Sequence, residues 1–456
     1  MAGIGIELRK LSSNNSFLGF VRAHLYAGIL SSGAWIISIC ILIGIYFYLE
    51  HFLGHTTFAI QFLVAVTYLI STSLISSGVF QNSLNRYISD QIFTDKFGRI
   101  CPNFLASILV LTMITLPIGY LSAEFLLYSQ SLGVKLLMAS SFVVLNILWL
   151  FTNALSGLKN YRFLLFAFII SYFIIFFLAI NLYQYKLFGL LLSFYIGHIL
   201  LLVAFFIFLL RSYPTNHLFS REIFHFMKIN PALVYSSFFF YLGIWVDKFC
   251  FWYYSNTSTA TLDHLHSSPV YDMPIFIAFL LILPGMAVFF YEMETNFARY
   301  YDRFYDAIRE GATLKEINEK HSEIIAMART SLLNTVQVQA GLAAFAILLA
   351  PEVLNFMNLS PIYVYLLRIS LVAASLLIVL MALMNIFFYL NMPRKVFLIA
   401  LIFFLLNFFL TLLSIYLGPL YYGYGFALAT LISVTISMLM LIGAFKKLTY
   451  YAFMSN

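Results

Sequence analysis

Residues 163–180 read Phe-Leu-Leu-Phe-Ala-Phe-Ile-Ile-Ser-Tyr-Phe-Ile-Ile-Phe-Phe-Leu-Ala-Ile, without a single charge. A short polar break, Asn181–Lys186, separates them from a second, almost wholly apolar run, Leu187–Leu210. As helices, both runs are long enough to cross a hydrocarbon core ~30 Å thick, and each is too long to merge with the other. Two membrane spans joined by a tight turn are therefore expected here.

The same texture extends through all 456 residues, of which 62% are hydrophobic and 9% charged. Soluble domains carry roughly a quarter charged residues, and a water-soluble protein this apolar would aggregate through its surface. Length alone suggests roughly three soluble domains, but composition overrules length. The 50 phenylalanines and 31 tyrosines suit lipid-facing surfaces and interfacial belts. Twelve spans are predicted, at about 25–49, 57–80, 102–127, 133–157, 163–183, 187–210, 232–254, 273–292, 331–350, 362–390, 396–417 and 422–445. The fold class is an all-α membrane protein with about twelve transmembrane helices in two six-helix bundles. Glu7 precedes the first apolar stretch, which is long enough to span and stay, so a cleavable signal is not expected.

Charge placement tests the count. With the N-terminus in the cytoplasm, 21 of the 25 lysines and arginines fall in cytoplasmic segments. Lys135 and Lys186 fall outside, while Lys248 and Arg368 lie within spans. A wrong count would scramble this alternation. The pattern predicts both termini in the cytoplasm, and it explains the net charge of +7 without a nucleic-acid partner.

Two cytoplasmic connections exceed simple turns. Residues 211–231 end at Pro231 and divide the chain into 1–230, six spans with an amphipathic N-terminus, and 231–456, six more. Equal halves are typical of transporters built around a central path. The segment 293–330 belongs to the second half and holds most of the soluble charge. Asn296–Glu310 extends the eighth span, Gly311 stops it, and Thr313-Leu-Lys-Glu316 reads as a capping box. The amphipathic helix that follows could lie on the membrane, meet a partner, or serve as a plain connector.

Several motifs carry a family resemblance. Met1-Ala-Gly-Ile-Gly-Ile-Glu-Leu-Arg-Lys10, Tyr26-Ala-Gly-Ile-Leu-Ser-Ser-Gly-Ala-Trp35, Leu242-Gly-Ile-Trp-Val-Asp-Lys248 and Glu292-Met-Glu-Thr-Asn-Phe297 together resemble the PelG family. The resemblance covers the whole chain. It implies a member of the multidrug/oligosaccharidyl-lipid/polysaccharide exporter superfamily, moving a Pel-like, amino-sugar-rich polymer across the inner membrane. It also implies a complex with PelD-like and PelE-like subunits and a PelF-like cytoplasmic glycosyltransferase, with cyclic-di-GMP sensed by the PelD-like subunit. The family pattern places proline after Gly33, where this chain has Ala34, which removes a kink in the first span.

Ionisable groups inside a membrane are costly, which makes them functional candidates. Asp247, Lys248 and Arg368 sit ~10 Å below the outer surface, counting about 1.5 Å per residue. Asp247 and Lys248 point about 100° apart on a helix, so each is expected to need a partner from another span, with Asp247 pairing to Arg368. Snorkelling of Lys248 and Arg368, or polymer contact, are the alternatives. His198, near the middle of the sixth span, is either a proton-coupling or sugar-contacting group or a neutral histidine bonded to a neighbouring helix. Ser31, Ser32 and Gly33, with Ser71–Ser73, Ser76–Gly78, Gln81 and Asn82, either clamp helices together or line a wet path. Trp35 and Trp245 offer sugar-stacking faces or simple packing. Glu292, Glu294, Arg299 and Arg303, with Tyr300 and Tyr301, end the eighth span as a cytoplasmic gate, a docking site for the polymerase, or a solvated helix end.

An enzyme is not expected. No paired carboxylates and no phosphate-binding glycine loop are present. Asp263, His264 and His266 are too few for a metal site, and Cys40, Cys101 and Cys250 lack metal spacing, so no metal or cofactor is expected. A lipid-linked oligosaccharide flippase and a scaffold anchoring the synthase are the rival functions.

Overall fold

In the computed structural model the described residues are 17–54, 56–157, 161–215, 217–357 and 360–454. The motif Met1–Lys10, Lys159 and the side chain of Ser31 lie outside them. The helices are α1 (Phe17–His51), α2 (Thr56–Phe93), α3 (Ile100–Leu126), α4 (Leu132–Gly157), α5 (Tyr161–Leu182), α6 (Lys186–Ser212), α7 (Glu222–Ile229) and α8 (Pro231–Trp252). A small antiparallel hairpin follows, β1 (Thr259–Leu262) with β2 (Leu265–Ser267). Then come α9 (Pro269–Leu280), α10 (Ile282–Glu292), α11 (Ala298–Arg309), α12 (Leu314–Phe356), α13 (Val364–Tyr389), α14 (Pro393–Leu417), α15 (Tyr424–Lys446) and α16 (Leu448–Met454).

Ten helical stretches of the described residues are long and apolar enough to span a membrane, and an eleventh comes from the bent pair α7 and α8. The longest, Arg162–Ser212, is two helices broken at Tyr183–Tyr185 that pack side by side. The twelve predicted spans are thus all found. Their outer faces are apolar: Phe125, Phe173, Phe177, Leu348 and Phe409 are exposed, as lipid requires. Backbone hydrogen bonds are closed within each helix, the condition for residence in hydrocarbon.

Local chemistry sets the breaks. Asn230 precedes a proline, which disfavours the helical conformation; it sits at φ −115°, ψ 60°, and α7 meets α8 at 81°. Pro284 cannot donate to the carbonyl four residues back, and the expected continuous eighth span is broken between α9 and α10. The segment beyond matches expectation. Gly311 adopts φ +72°, and the Thr313 hydroxyl accepts from the Glu316 amide at 3.3 Å, opening α12. The amphipathic helix is the first part of α12, which runs on without interruption as the ninth span. Its apolar face is neither free for the membrane nor for a partner. Ile317, Ile324 and Ala328 are buried, α11 packs along it, and His321 bonds the Phe445 carbonyl at 2.9 Å.

The chain forms two compact units. One takes the chain up to Ser32, then Val246–Cys250 and Val270 onward; the other takes Gly33–Trp245 and Phe251–Pro269. In the second unit, α4 packs against α2, α3 and α6 around Phe104, Phe151 and Phe205. In the first, α12, α13 and α15 pack in turn, with α14 against α15.

Candidate functional site: buried charges in an apolar bundle

Asp247 and Lys248 are both buried, and they bond each other. Lys248 Nζ lies 3.1 Å from Asp247 Oδ2 and 3.2 Å from Oδ1. The Tyr271 hydroxyl donates to Oδ2 at 2.7 Å, and Asn407 Nδ2 approaches Oδ1 at 3.4 Å. Asn407 Oδ1 in turn accepts from the Thr411 hydroxyl at 3.1 Å. The lysine ammonium sits over two rings, 4.7 Å from the centre of Phe279 and 5.2 Å from that of Phe426. Three elements, α8, α9 and α14, therefore converge on one carboxylate. The ring faces lower the cost of a desolvated ammonium, and the charge-assisted hydrogen bonds hold the carboxylate. The pair as a whole is neutral.

This corrects the expectation that adjacent charges need partners from other helices. The flexible lysine stem folds back to its neighbour, so the Cα directions do not limit the pairing. The expected Asp247–Arg368 pair does not form. Arg368, on α13, donates from Nε to the Ile347 carbonyl of α12 at 3.3 Å and is partly exposed. One neutral acceptor replaced by water is a small loss. Arg368→Ala is therefore expected to lower stability by less than about 1.5 kcal/mol, read as a small drop in thermal midpoint of the purified protein.

His198 is buried and bonded to a neighbouring helix. It is 3% exposed, its Nδ1 lies 2.7 Å from the Phe194 carbonyl, and Nε2 lies 3.2 Å from the Tyr172 hydroxyl. A carbonyl only accepts, so Nδ1 carries the proton and Nε2 accepts from the tyrosine. The serines and amides of α2 bond side chains of α4 and α8. Trp149 Nε1 donates to Ser73, Ser76 donates to Asn146, and Asn82 donates to Ser236. Gln81 Oε1 accepts from both Asn153 and Tyr241. In α1, the Ser32 hydroxyl meets the Met286 sulfur at 3.8 Å. Trp245 packs 6.3 Å from the ring of Trp252, which stacks on Tyr68, whereas Trp35 is 39% exposed.

The end of the eighth span divides. Glu292 is buried, and Asn296, Asn334 and Ser331 surround its carboxylate. Glu294 is half-buried, while Arg299 and Arg303 are exposed, the latter over the Tyr300 ring. A wide π turn, Met293–Phe297, lies between α10 and α11. Sequence reasoning missed Tyr271, Asn407, Ser331, Asn334 and Gln339. A usable signal existed in α12, where Ser331, Thr335 and Gln339 recur every four residues inside an apolar span. Among the described residues no group of acids, histidines or cysteines is placed to hold a metal ion.

The sequence profile of the PelG family, described as "Putative exopolysaccharide Exporter (EPS-E)", matches residues 1–453. No curated protein matches the chain. Among solved structures, a MOP superfamily transporter from Pyrococcus furiosus Vc1 (DSM3638) is similar over 98% of this chain and 94% of its own, at TM-score 0.57 and 13% identity. The MATE transporter ClbM in complex with Rb+ is similar over 96% of this chain and 95% of its own, at TM-score 0.63 and 13% identity. A MATE structure in complex with MaL6 covers 92% of this chain and 97% of its own, at TM-score 0.60 and 13% identity. The chain shares their overall fold.

Proposed function

We propose a function from one premise: the chain belongs to the PelG family. It is a multi-pass membrane transporter of the exopolysaccharide-export kind, not an enzyme. The substrate is a Pel-like amino-sugar polymer, moved across the inner membrane with both termini in the cytoplasm. The halves 1–230 and 231–456 rock or part around the polymer path. The exporter works with PelD-like and PelE-like subunits and a PelF-like glycosyltransferase. The exposed Arg299 and Arg303, with Glu294, offer a charged docking face for that synthase. Trp35, exposed on α1, offers a ring for sugar stacking. Asp247 and Lys248 pin three elements rather than touch polymer, and His198 and Trp245 serve packing.

The observation that carries this reading is the family match across nearly the whole chain. Transporter folds of this kind also suit lipid-linked oligosaccharides, which keeps a flippase as the second reading. The test is a strain lacking only this protein, with glycosyltransferase abundance measured alongside. Loss of extracellular polymer, with unlinked chains retained inside and the synthase still present, is the expected result. Normal secretion would overturn the exporter reading. Accumulation of lipid-linked oligosaccharide in place of free polymer would move the assignment to the flippase.

A further inference from the structure

The connection between α6 and α8 leaves the lipid-facing surface beside Leu210 and returns to it beside Tyr235, both half-exposed. Between them, residues 211–230 hold Arg211, Arg221 and Lys228, with His217 and His225, against a single acid, Glu222. That acid is occupied. The Tyr87 hydroxyl donates to Glu222 Oε2 at 2.8 Å, and Arg99 pairs with Oε1 at 3.2 Å. Asn103 joins the same group: its Nδ2 donates to the Tyr87 hydroxyl at 2.8 Å, and its Oδ1 accepts from the Ile223 amide at 2.9 Å. The Thr215 hydroxyl donates to the Gly98 carbonyl at 3.3 Å, and Tyr213 stacks on Phe97. A helix as short as α7 does not hold itself together in water. These contacts, with buried Ile223 and with Phe226 against the Tyr87 ring, fix it to the end of α2 and the start of α3.

What α7 and its approach turn outward is of one kind. Arg211, Arg221 and Lys228 are exposed, and none of the three has an ion-pair partner among the described residues. Arg221, His225 and Lys228 recur at four- and three-residue spacing, which places them on one stripe of the helix, opposite Ile223, Phe226 and Met227. Large apolar side chains stand exposed beside the stripe: Leu218 at 66% and Phe219 at 59% ahead of the helix, and Ile229 at 64% at its end. The boundary of a bilayer suits both sets at once, with phosphate for the cations and acyl chain for the apolar groups. The direction of α7 agrees. It turns through 81° into α8, so with α8 crossing the membrane α7 lies along its surface. A membrane is favoured over a protein partner because the connection begins and ends at lipid-facing residues, so hydrocarbon already adjoins it.

We propose that residues 211–229 form an interfacial anchor for anionic phospholipid, with Arg211, Arg221 and Lys228 on headgroup phosphates and Leu218, Phe219 and Ile229 in the acyl boundary. The leaflet is the cytoplasmic one under the topology of the exporter reading; the lipid contact itself does not rest on that reading.

The first measurement is hydrogen exchange of the full-length wild-type protein in nanodiscs of phosphatidylcholine, with and without phosphatidylglycerol. Amides of residues 217–229 are expected to exchange more slowly when phosphatidylglycerol is present. Equal exchange in the two lipids overturns the proposal, and no substitution is needed to see it. The second uses Phe219→Trp, an exposed site, in detergent. Brominated phosphatidylglycerol is expected to quench the added indole at far lower concentration than brominated phosphatidylcholine, with the wild-type signal subtracted. Adding Arg221→Gln and Lys228→Gln should raise that midpoint about 25-fold, roughly fivefold for each cation lost. No quenching beyond wild type, equal midpoints for the two lipids, or a midpoint unmoved by the two glutamines each overturns the proposal. Protection by inorganic phosphate alone in phosphatidylcholine discs would replace the lipid with a small anion. Protection that appears only with the purified PelF-like glycosyltransferase would replace it with a protein-docking surface.

Discussion

Asp247→Leu is expected to destabilise the protein by about 3–5 kcal/mol, the cost of breaking a buried ion pair by removing one member. The substitution takes the carboxylate away from the Lys248 ammonium, which sits over the rings of Phe279 and Phe426, and removes one acceptor each from Tyr271 and Asn407. Steady-state protein in the membrane should fall steeply, and export with it. The double variant Asp247→Leu with Lys248→Met removes both charges, and it is expected to recover most of the stability, because a neutral apolar pair is often no worse than an ionic one. Thermal unfolding of the two variants side by side checks this. A double variant as unstable as the single would show that the ion pair is not the source of the loss. A charge-swapped Asp247→Arg with Arg368→Asp, by contrast, should fail as badly as Asp247→Arg alone, since Arg368 bonds Ile347 and not the aspartate.

Gly425→Leu is the second large effect. A Cβ at Gly425 would lie 2.6 Å from both Cα and N of Thr411. These are backbone atoms of the neighbouring α14, so no rotamer change relieves the clash and the two helices must separate. Overpacking in a tight core costs about 1–3 kcal/mol and occasionally more, and the backbone contact puts this site at the upper end. The strain also travels one turn along α14, from Thr411 to Asn407, and so to the Asp247 carboxylate. The expected outcome is a lowered thermal midpoint together with reduced export. Gly443→Leu, on the same helix where nothing lies within 4 Å of the added Cβ, should leave both unchanged.

These two sites show how far the sequence could be read. All twelve spans were legible because membrane insertion is governed by the length and apolarity of single segments, which need no tertiary information. Gly311 and the Thr313–Glu316 box were legible for the same reason: a helix stop and a helix start are local. The partner of Asp247 was not. Helical periodicity fixes where Cα–Cβ bonds point, yet a lysine stem of four carbons reaches sideways to an adjacent carboxylate, and Tyr271 and Asn407 arrive from elements far along the chain. Which of the three uses of the helix over Leu314–Ala328 applies was not legible for a related reason. An apolar stripe states that something covers it, but not that the cover is α11 of the same protein. The break at Leu281 is an intermediate case, since Pro284 announces it, although only the structure shows Gln339 filling the gap.

The central claim, that this chain itself carries polysaccharide across a membrane, is tested most directly by reconstitution. Purified protein is placed in sealed proteoliposomes, a labelled amino-sugar oligosaccharide is supplied on one side, and its appearance on the other is measured. Wild type is predicted to move it above protein-free vesicles, with the Gly443→Leu control equal to wild type and Gly425→Leu well below it. Flux no greater than through protein-free vesicles, from wild-type protein shown to be folded, would contradict the account and leave a scaffold for the synthase.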